Sequence, residues 1–221
     1  TFWVSDEYGP HIVHYSADGV ELERINPFAA DDRNLYDLPA EFGNRWANRG
    51  MEGLTITPDE STLVGIMQSS LDNPDRNRTD MTRIVTVDLA TGAISQYLYR
   101  QEKGSNSNSA IKAISDTQFL VLERDGAFFG KTGAAQKQVY KIDISNATDL
   151  ESVAAAGTIT QDDALGLVID GATLEEVIND NATDGVYGQG WGMLANLGIA
   201  PVEKLEMVVD MVDEVAGRSS S

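Results

Sequence analysis

The chain has 221 residues, 42% hydrophobic and 23% charged, enough for a sizeable core in one large domain or two small ones. Asp and Glu number 35 against 16 Lys and Arg, and the resulting formal charge of −19 excludes a nucleic-acid or anionic-membrane surface, which would need clustered cations. The absence of cysteine excludes disulfides and thiolate chemistry, two histidines argue against a histidine-rich zinc site, and no apolar run reaches the ~18 residues of a membrane span.

In chain order, residues 2–145 read as short strands broken by turns. FWVS and HIVHYS come first, followed by the turn ADG and VELERI, with the period-2 alternation of half-buried strands. Residues 27–50 are too long for a hairpin turn, and Tyr36, Phe42 and Trp46 predict an ordered loop there. GLTIT, the turn PDES and TLVGIMQS follow, then the polar loop SLDNPDRNRTDM. RIVTVDL, ATG and AISQYLYR make a further hairpin, and after KGSNSNS come SAIKAIS, QFLVLERDG and QVYKIDIS. Hairpins at this spacing, without helical pattern between them, predict an all-β sandwich, barrel or propeller. Their recurring form favours a β-propeller, of which this chain holds about three to four blades at ~40–50 residues each. A closed ring needs at least four blades, so residues 1–145 are expected not to complete one.

Beyond residue 160 the texture changes to minor helical segments. ATLEEVIND predicts a short helix capped by Thr173, with Glu175 and Glu176 in its first turn, where the helix dipole favours acids. DGVYGQGWGML reads as glycine-rich and irregular. In the final stretch, PVEKLEMVVDMVDEVAG, the apolar positions 202, 205, 208, 209 and 212 have helical spacing, although the Val and Met content also suits a strand. An opening without Met, directly on a strand, and the ending AGRSSS predict a fragment or a processed chain.

The chemistry-bearing candidates are carboxylates at strand ends: Asp6 and Glu7 in SDEYG, Glu52 in MEGL, and Glu123 in LERDG. In a propeller such ends converge on one face around the central channel. Acids gathered there would repel one another without a cation, and hard oxygen ligands suit Ca²⁺. Each acid alone can equally be an ordinary turn residue. Among cations, Arg49 and Arg45 in NRWANRG, together with Arg124, are candidate holders of an anionic group, and His11 is a candidate general acid. A strand-borne histidine beside Ile and Val more commonly packs, and the two loop arginines can simply tie their loop to nearby acids. Three Asn-x-Thr triplets, at Asn77, Asn146 and Asn181, match the glycosylation pattern, which is frequent by chance.

SDEYGP, NRGMEGLTITPD and FLVLERDG, with RIVTVDLATG and KQVYKIDIS in the same order, resemble the phytase-like family of β-propeller proteins over residues 1 to about 150. The resemblance implies an exported, periplasmic or extracellular protein and a domain over residues 1–221 incomplete at both ends. It implies acids at the channel mouth, with Glu7, Glu52 and neighbouring Asp6 in that role, Glu123 similarly placed and Arg49 facing them. The resulting expectation is a calcium-dependent hydrolase acting on a small-molecule anionic ester, phosphate or carboxylate. Its metal ligands would be Asp6, Glu7, Glu52 and Glu123, and its catalytic groups Glu52, Arg49 and His11. A non-catalytic, calcium-stabilised propeller that binds a ligand or partner is the alternative. Open sheet edges would allow an oligomer.

Overall fold

The computed structural model describes residues 1–128 and 135–213; the AGRSSS ending lies outside them. The fold is mostly β, arranged among the described residues as four small sheets without a closed barrel. The first sheet is β1 (Phe2–Ser5), β2 (Ile12–Tyr15), β3 (Glu21–Asn26) and β4 (Asn34–Asp37), in that spatial order. Its last pair is parallel, with Ile25 opposite Tyr36. The loop expected over residues 27–50 is therefore ordered: it supplies β4 and a 3-10 turn, Ala40–Asn44, that buries Phe42 completely.

The second sheet is an antiparallel meander of β5 (Met51–Ile56), β6 (Thr62–Met67), β7 (Met81–Asp88) and β8 (Ile94–Arg100). It is buried on both faces, which accounts for the nearly unbroken apolar runs TLVGIM and RIVTV. From β6, Leu63 and Met67 join Ile12, Ile25 and Phe42 of the first sheet and its loop. From the same strand, Val64 and Ile66 join Phe119, Val121 and Ile142 of the third. Sides alternate along the strand as the pleat requires, and each side meets a different sheet.

The third sheet begins with β9 (Ser107–Ala113), β10 (Gln118–Arg124) and β11 (Lys137–Asp143). The chain then leaves to form a three-stranded sheet of β12 (Ile159–Asp162), β13 (Gly166–Ile169) and β14 (Ala172–Thr173), followed by α1 (Leu174–Asp180) and α2 (Gly188–Asn196). It returns as β15 (Glu203–Asp210), which pairs antiparallel with β11 and completes the third sheet. The predicted cap of α1 is present as a full capping box: the Thr173 hydroxyl accepts from the Glu176 amide, and the Glu176 carboxylate accepts from the Thr173 amide. Two expectations are corrected. Residues 203–210 are a strand and not a helix, because the ladder of β11 offers them backbone partners. GQGWGML is helical despite three glycines, because Trp191 and Leu194 pack into a cluster with Met81, Leu98, Leu174 and Ile178.

The first strands of the three larger sheets lie side by side, β1 against β5 and β5 against β9. The approach of β5 to β9 is close enough that a Cβ on Gly53 would fall 2.9 Å from the Ile111 amide nitrogen. The Gly50 amide donates to the Glu7 carbonyl at 2.7 Å, tying the end of the first sheet to the start of the second. Both glycines of the RGMEGL stretch thus mark where one sheet meets the next.

One buried cation joins three segments. The Arg83 guanidinium on β7 is 1% exposed and donates to Glu175 of α1 at 2.6 and 3.0 Å and to Gln96 of β8 at 2.7 Å. Its Nη1 lies 3.5 Å from Glu41 in the 3-10 turn, and Gln96 bonds Glu41 at 2.7 Å. Burial works against the charged guanidinium, but Glu175 and Glu41 outweigh it and raise its pKa. Arg83→Met should lower stability by about 3–5 kcal/mol, because two buried carboxylates lose their cation. The measurement is the denaturant midpoint; one unchanged from wild type would show that the network contributes no net stability.

Candidate functional site

Glu7 follows β1, Glu52 sits at the start of β5, and Ser107 and Ser109 open β9, so the adjacency of these first strands gathers their side chains. Glu52 is partly buried, with Oε1 3.8 Å from an Arg124 nitrogen. Its Oε2 is buried and accepts no hydrogen bond among the described residues. Desolvation raises the Glu52 pKa, and repulsion from Glu7 adds to this; Arg124, Ser109 and Arg49 pull the other way. Arg124 also donates to the Ser109 hydroxyl at 2.9 Å.

Arg49 connects this acidic corner to a second compartment. Its Nη1 donates to Ser107 Oγ at 2.7 Å and approaches Ser69 Oγ at 3.4 Å. It also lines a cavity of about 770 Å³ together with Arg76, Arg78, Arg100 and Lys103. At the cavity wall the Trp46 ring has guanidinium carbons at 3.2 Å (Arg78), 4.4 Å (Arg49) and 5.7 Å (Arg76) from its centre. Arg78 pairs with Asp72 and Arg100 with Asp80, which also accepts from the Trp191 indole at 2.8 Å. Arg49, Arg76 and Lys103 have no carboxylate within ion-pair distance among the described residues. The acids that line the cavity, Asp80 and Glu102, are paired with Arg100 and Lys204, so its lining holds more cations than acids. Burial lowers the Arg78 pKa, and the pull of Asp72 is offset by repulsion from Arg76 and Arg49.

The remaining candidates lie elsewhere. Asp6 caps its own turn, accepting from the amides of Tyr8 at 2.9 Å and Gly9 at 3.1 Å. Glu123 is fully buried and receives Tyr99 at 2.9 Å, Asn106 and the Glu102 amide at 2.6 Å each, and the Lys204 ammonium at 2.9 Å. His11 packs on Phe28, with ring centres 5.7 Å apart. Its burial lowers its pKa, and its charged neighbours are Arg24, Asp6, Asp31 and Arg33. Arg45 serves its loop as expected, but through backbone carbonyls of Tyr8 and Gly43 and not through acids. Of the expected calcium ligands, Glu7 and Glu52 share a neighbourhood, and Glu52 Oε2 carries no hydrogen bond among the described residues. Asp6 and Glu123 are already hydrogen-bonded, and among the described residues no three acids or histidines converge as a metal cage. Two carboxylates are a partial fit to an ion that takes 6–8 oxygens.

Sequence reasoning passed over Arg76, Arg78, Arg100 and Lys103. The available signal was two arginines in NPDRNRTD, in a chain otherwise poor in cations.

Residues 1–188 match the phytase-like family, described as having the esterase-like activity of phytase. The chain belongs to that family. The phytase-like chain is also 28% identical to an uncharacterized secreted protein of Arthroderma benhamiae, in an alignment covering 63% of this chain and 35% of the relative, about a third of its length. No solved structure matches it. Among the described residues, no helix is long and apolar enough to cross a membrane.

The raised pKa of Glu52 has a defined consequence. Folding favours its neutral form, so its contribution to stability is present at low pH and is lost as pH rises through the folded pKa. Glu52→Gln should therefore melt above wild type at pH 7, and the difference should vanish as pH falls below the carboxylate range. A variant less stable than wild type at pH 7 would show that the charged carboxylate is net stabilising.

Proposed function

We propose that this chain forms three neighbouring propeller blades of an exported hydrolase that acts on anionic phosphate or carboxylate esters. The row of β1, β5 and β9, each the first strand of a four-stranded sheet, supports the propeller reading. The secreted relative supports export. The observation that carries the activity is the cavity whose Arg49, Arg76 and Lys103 lack carboxylates, next to a carboxyl group held toward neutrality.

In this reading Arg49 and Arg76 hold the anionic group of the ester through charge-assisted hydrogen bonds. Glu52, as carboxylate, takes a proton from the water that attacks phosphorus or the acyl carbon and returns it to the departing alcohol oxygen as the ester P–O or C–O bond breaks, an exchange its raised pKa suits. Arg124 keeps Glu52 and the Ser109 hydroxyl in place. A calcium ion held by Glu7 and Glu52 would relieve their mutual repulsion and supply Lewis-acid polarisation of an ester oxygen. The unpartnered Glu52 oxygen also favours a second reading, in which calcium joins the blades without turnover.

Full-length protein assayed on phosphate and carboxylate monoesters should show turnover, and Arg49→Ala should cut kcat/KM by roughly 10–100-fold, the worth of a hydrogen bond to a charged group. Calcium should raise the melting temperature by mass action, and Glu52→Gln should abolish that rise. A calcium-dependent melt with no turnover selects the second reading; neither effect removes both.

A further inference from the structure

One wall of the arginine cavity comes from the segment that leaves the third sheet after β11. Gly185, Val186 and Tyr187 line it, with Tyr187 packed against the loops that carry Arg78 and Gly104. This tip is a two-residue turn. Thr183 and Val186 exchange both backbone hydrogen bonds, at 3.0 and 2.9 Å, and Asp184 and Gly185 between them have φ of 51° and 76°. Two consecutive left-handed residues define the type I′ turn, for which Asp-Gly is a preferred pair. Tyr187 then fastens the tip to the loop of Arg78 by donating its hydroxyl to the Arg78 carbonyl at 2.7 Å. Burial, and secondarily Asp80, raises the Tyr187 pKa and keeps that hydroxyl protonated as a donor.

The consequence is the position of Val186. It is 65% exposed and lines the cavity between the turn and the Tyr187 anchor. A single exposed valine is ordinary. Here it stands beside Tyr187 in the lining that also holds Arg49, Arg76 and Lys103. The cavity therefore offers two chemistries at once, cations and an apolar patch. A bare inorganic anion or a fully hydroxylated ester would use only the first.

We infer that the Thr183–Tyr187 tip determines specificity: the cavity takes an anionic monoester whose organic group is apolar, aryl or branched alkyl, with the anion on the arginines and the organic group against Val186 and Tyr187. This rests on the anionic-ester reading above and narrows it. Burying an aryl face against one isopropyl group and one ring edge corresponds to roughly a five- to tenfold gain in affinity over a methyl group of the same charge.

The test is calorimetric titration of methyl phosphate and phenyl phosphate, both dianions at pH 8, into full-length wild type, Val186→Ser and Tyr187→Phe. Wild type should prefer phenyl phosphate by about five- to tenfold. The preference should fall to about twofold or less in Val186→Ser, where the apolar contact is gone. It should also fall in Tyr187→Phe, where the tip loses its anchor but keeps its ring. Equal affinity of wild type for the two esters, or a preference that survives in Val186→Ser, overturns this inference and leaves the anionic-ester reading standing. Binding of neither ester by wild type overturns both.

Discussion

The Arg83 guanidinium is the interaction on which the rest of this structure leans. It stands on the central sheet, which has no solvent face to spare, and it holds by charge two segments that the chain reaches from opposite directions: the 3-10 turn through Glu41 and the α1 helix through Glu175. The 3-10 turn leads directly into the stretch that carries Trp46 and Arg49. The α1 helix leads into the hairpin that carries Val186 and Tyr187. Two of the segments that line the arginine cavity therefore follow elements held by one buried cation. Buried ion pairs are weak evidence for stability, but they specify geometry where segments could otherwise settle in several ways.

The site combines two kinds of electrostatic strain. At Glu52 a carboxylate is partly desolvated beside another carboxylate, and at Trp46 several guanidinium groups crowd around one ring. Each would relax if its opposite arrived, a cation at the first and an anion at the second. Arg49 lies between them and feels both.

Much of the fold is legible in the sequence because turn chemistry and strand alternation agree: ADG, PDES and ATG each join the strands that their flanks predict. Thr173 is legible as a cap because a local hydrogen bond decides it. The misreadings share a cause. VEKLEMVVD has helical spacing, but Leu205, Met207 and Val208 are all largely exposed, so the spacing reflects no buried face; the ladder of β11 decides the conformation. The glycines of GQGWGML disfavour a helix locally, and burial of Trp191 and Leu194 overrides them. At the site, Glu7, Glu52 and Arg49 stand out by motif. Arg76 and Arg78 come from one loop, Arg100 and Lys103 from the end of β8 and the turn after it, and nothing local indicates that they meet. Glu123 resembles a ligand until Lys204, 81 positions later, is seen to neutralise it.

That last pairing bears on biosynthesis. The third sheet waits for its outermost strand while residues 144–202 are made, and until then β11 presents a bare hydrogen-bonding edge and Glu123 lacks its Lys204 partner. A nascent chain halted within that interval would hold an incomplete layer open to pairing with a neighbour. Exposure of that edge is thus confined to the interval between synthesis of β11 and of β15, and it ends when their ladder closes.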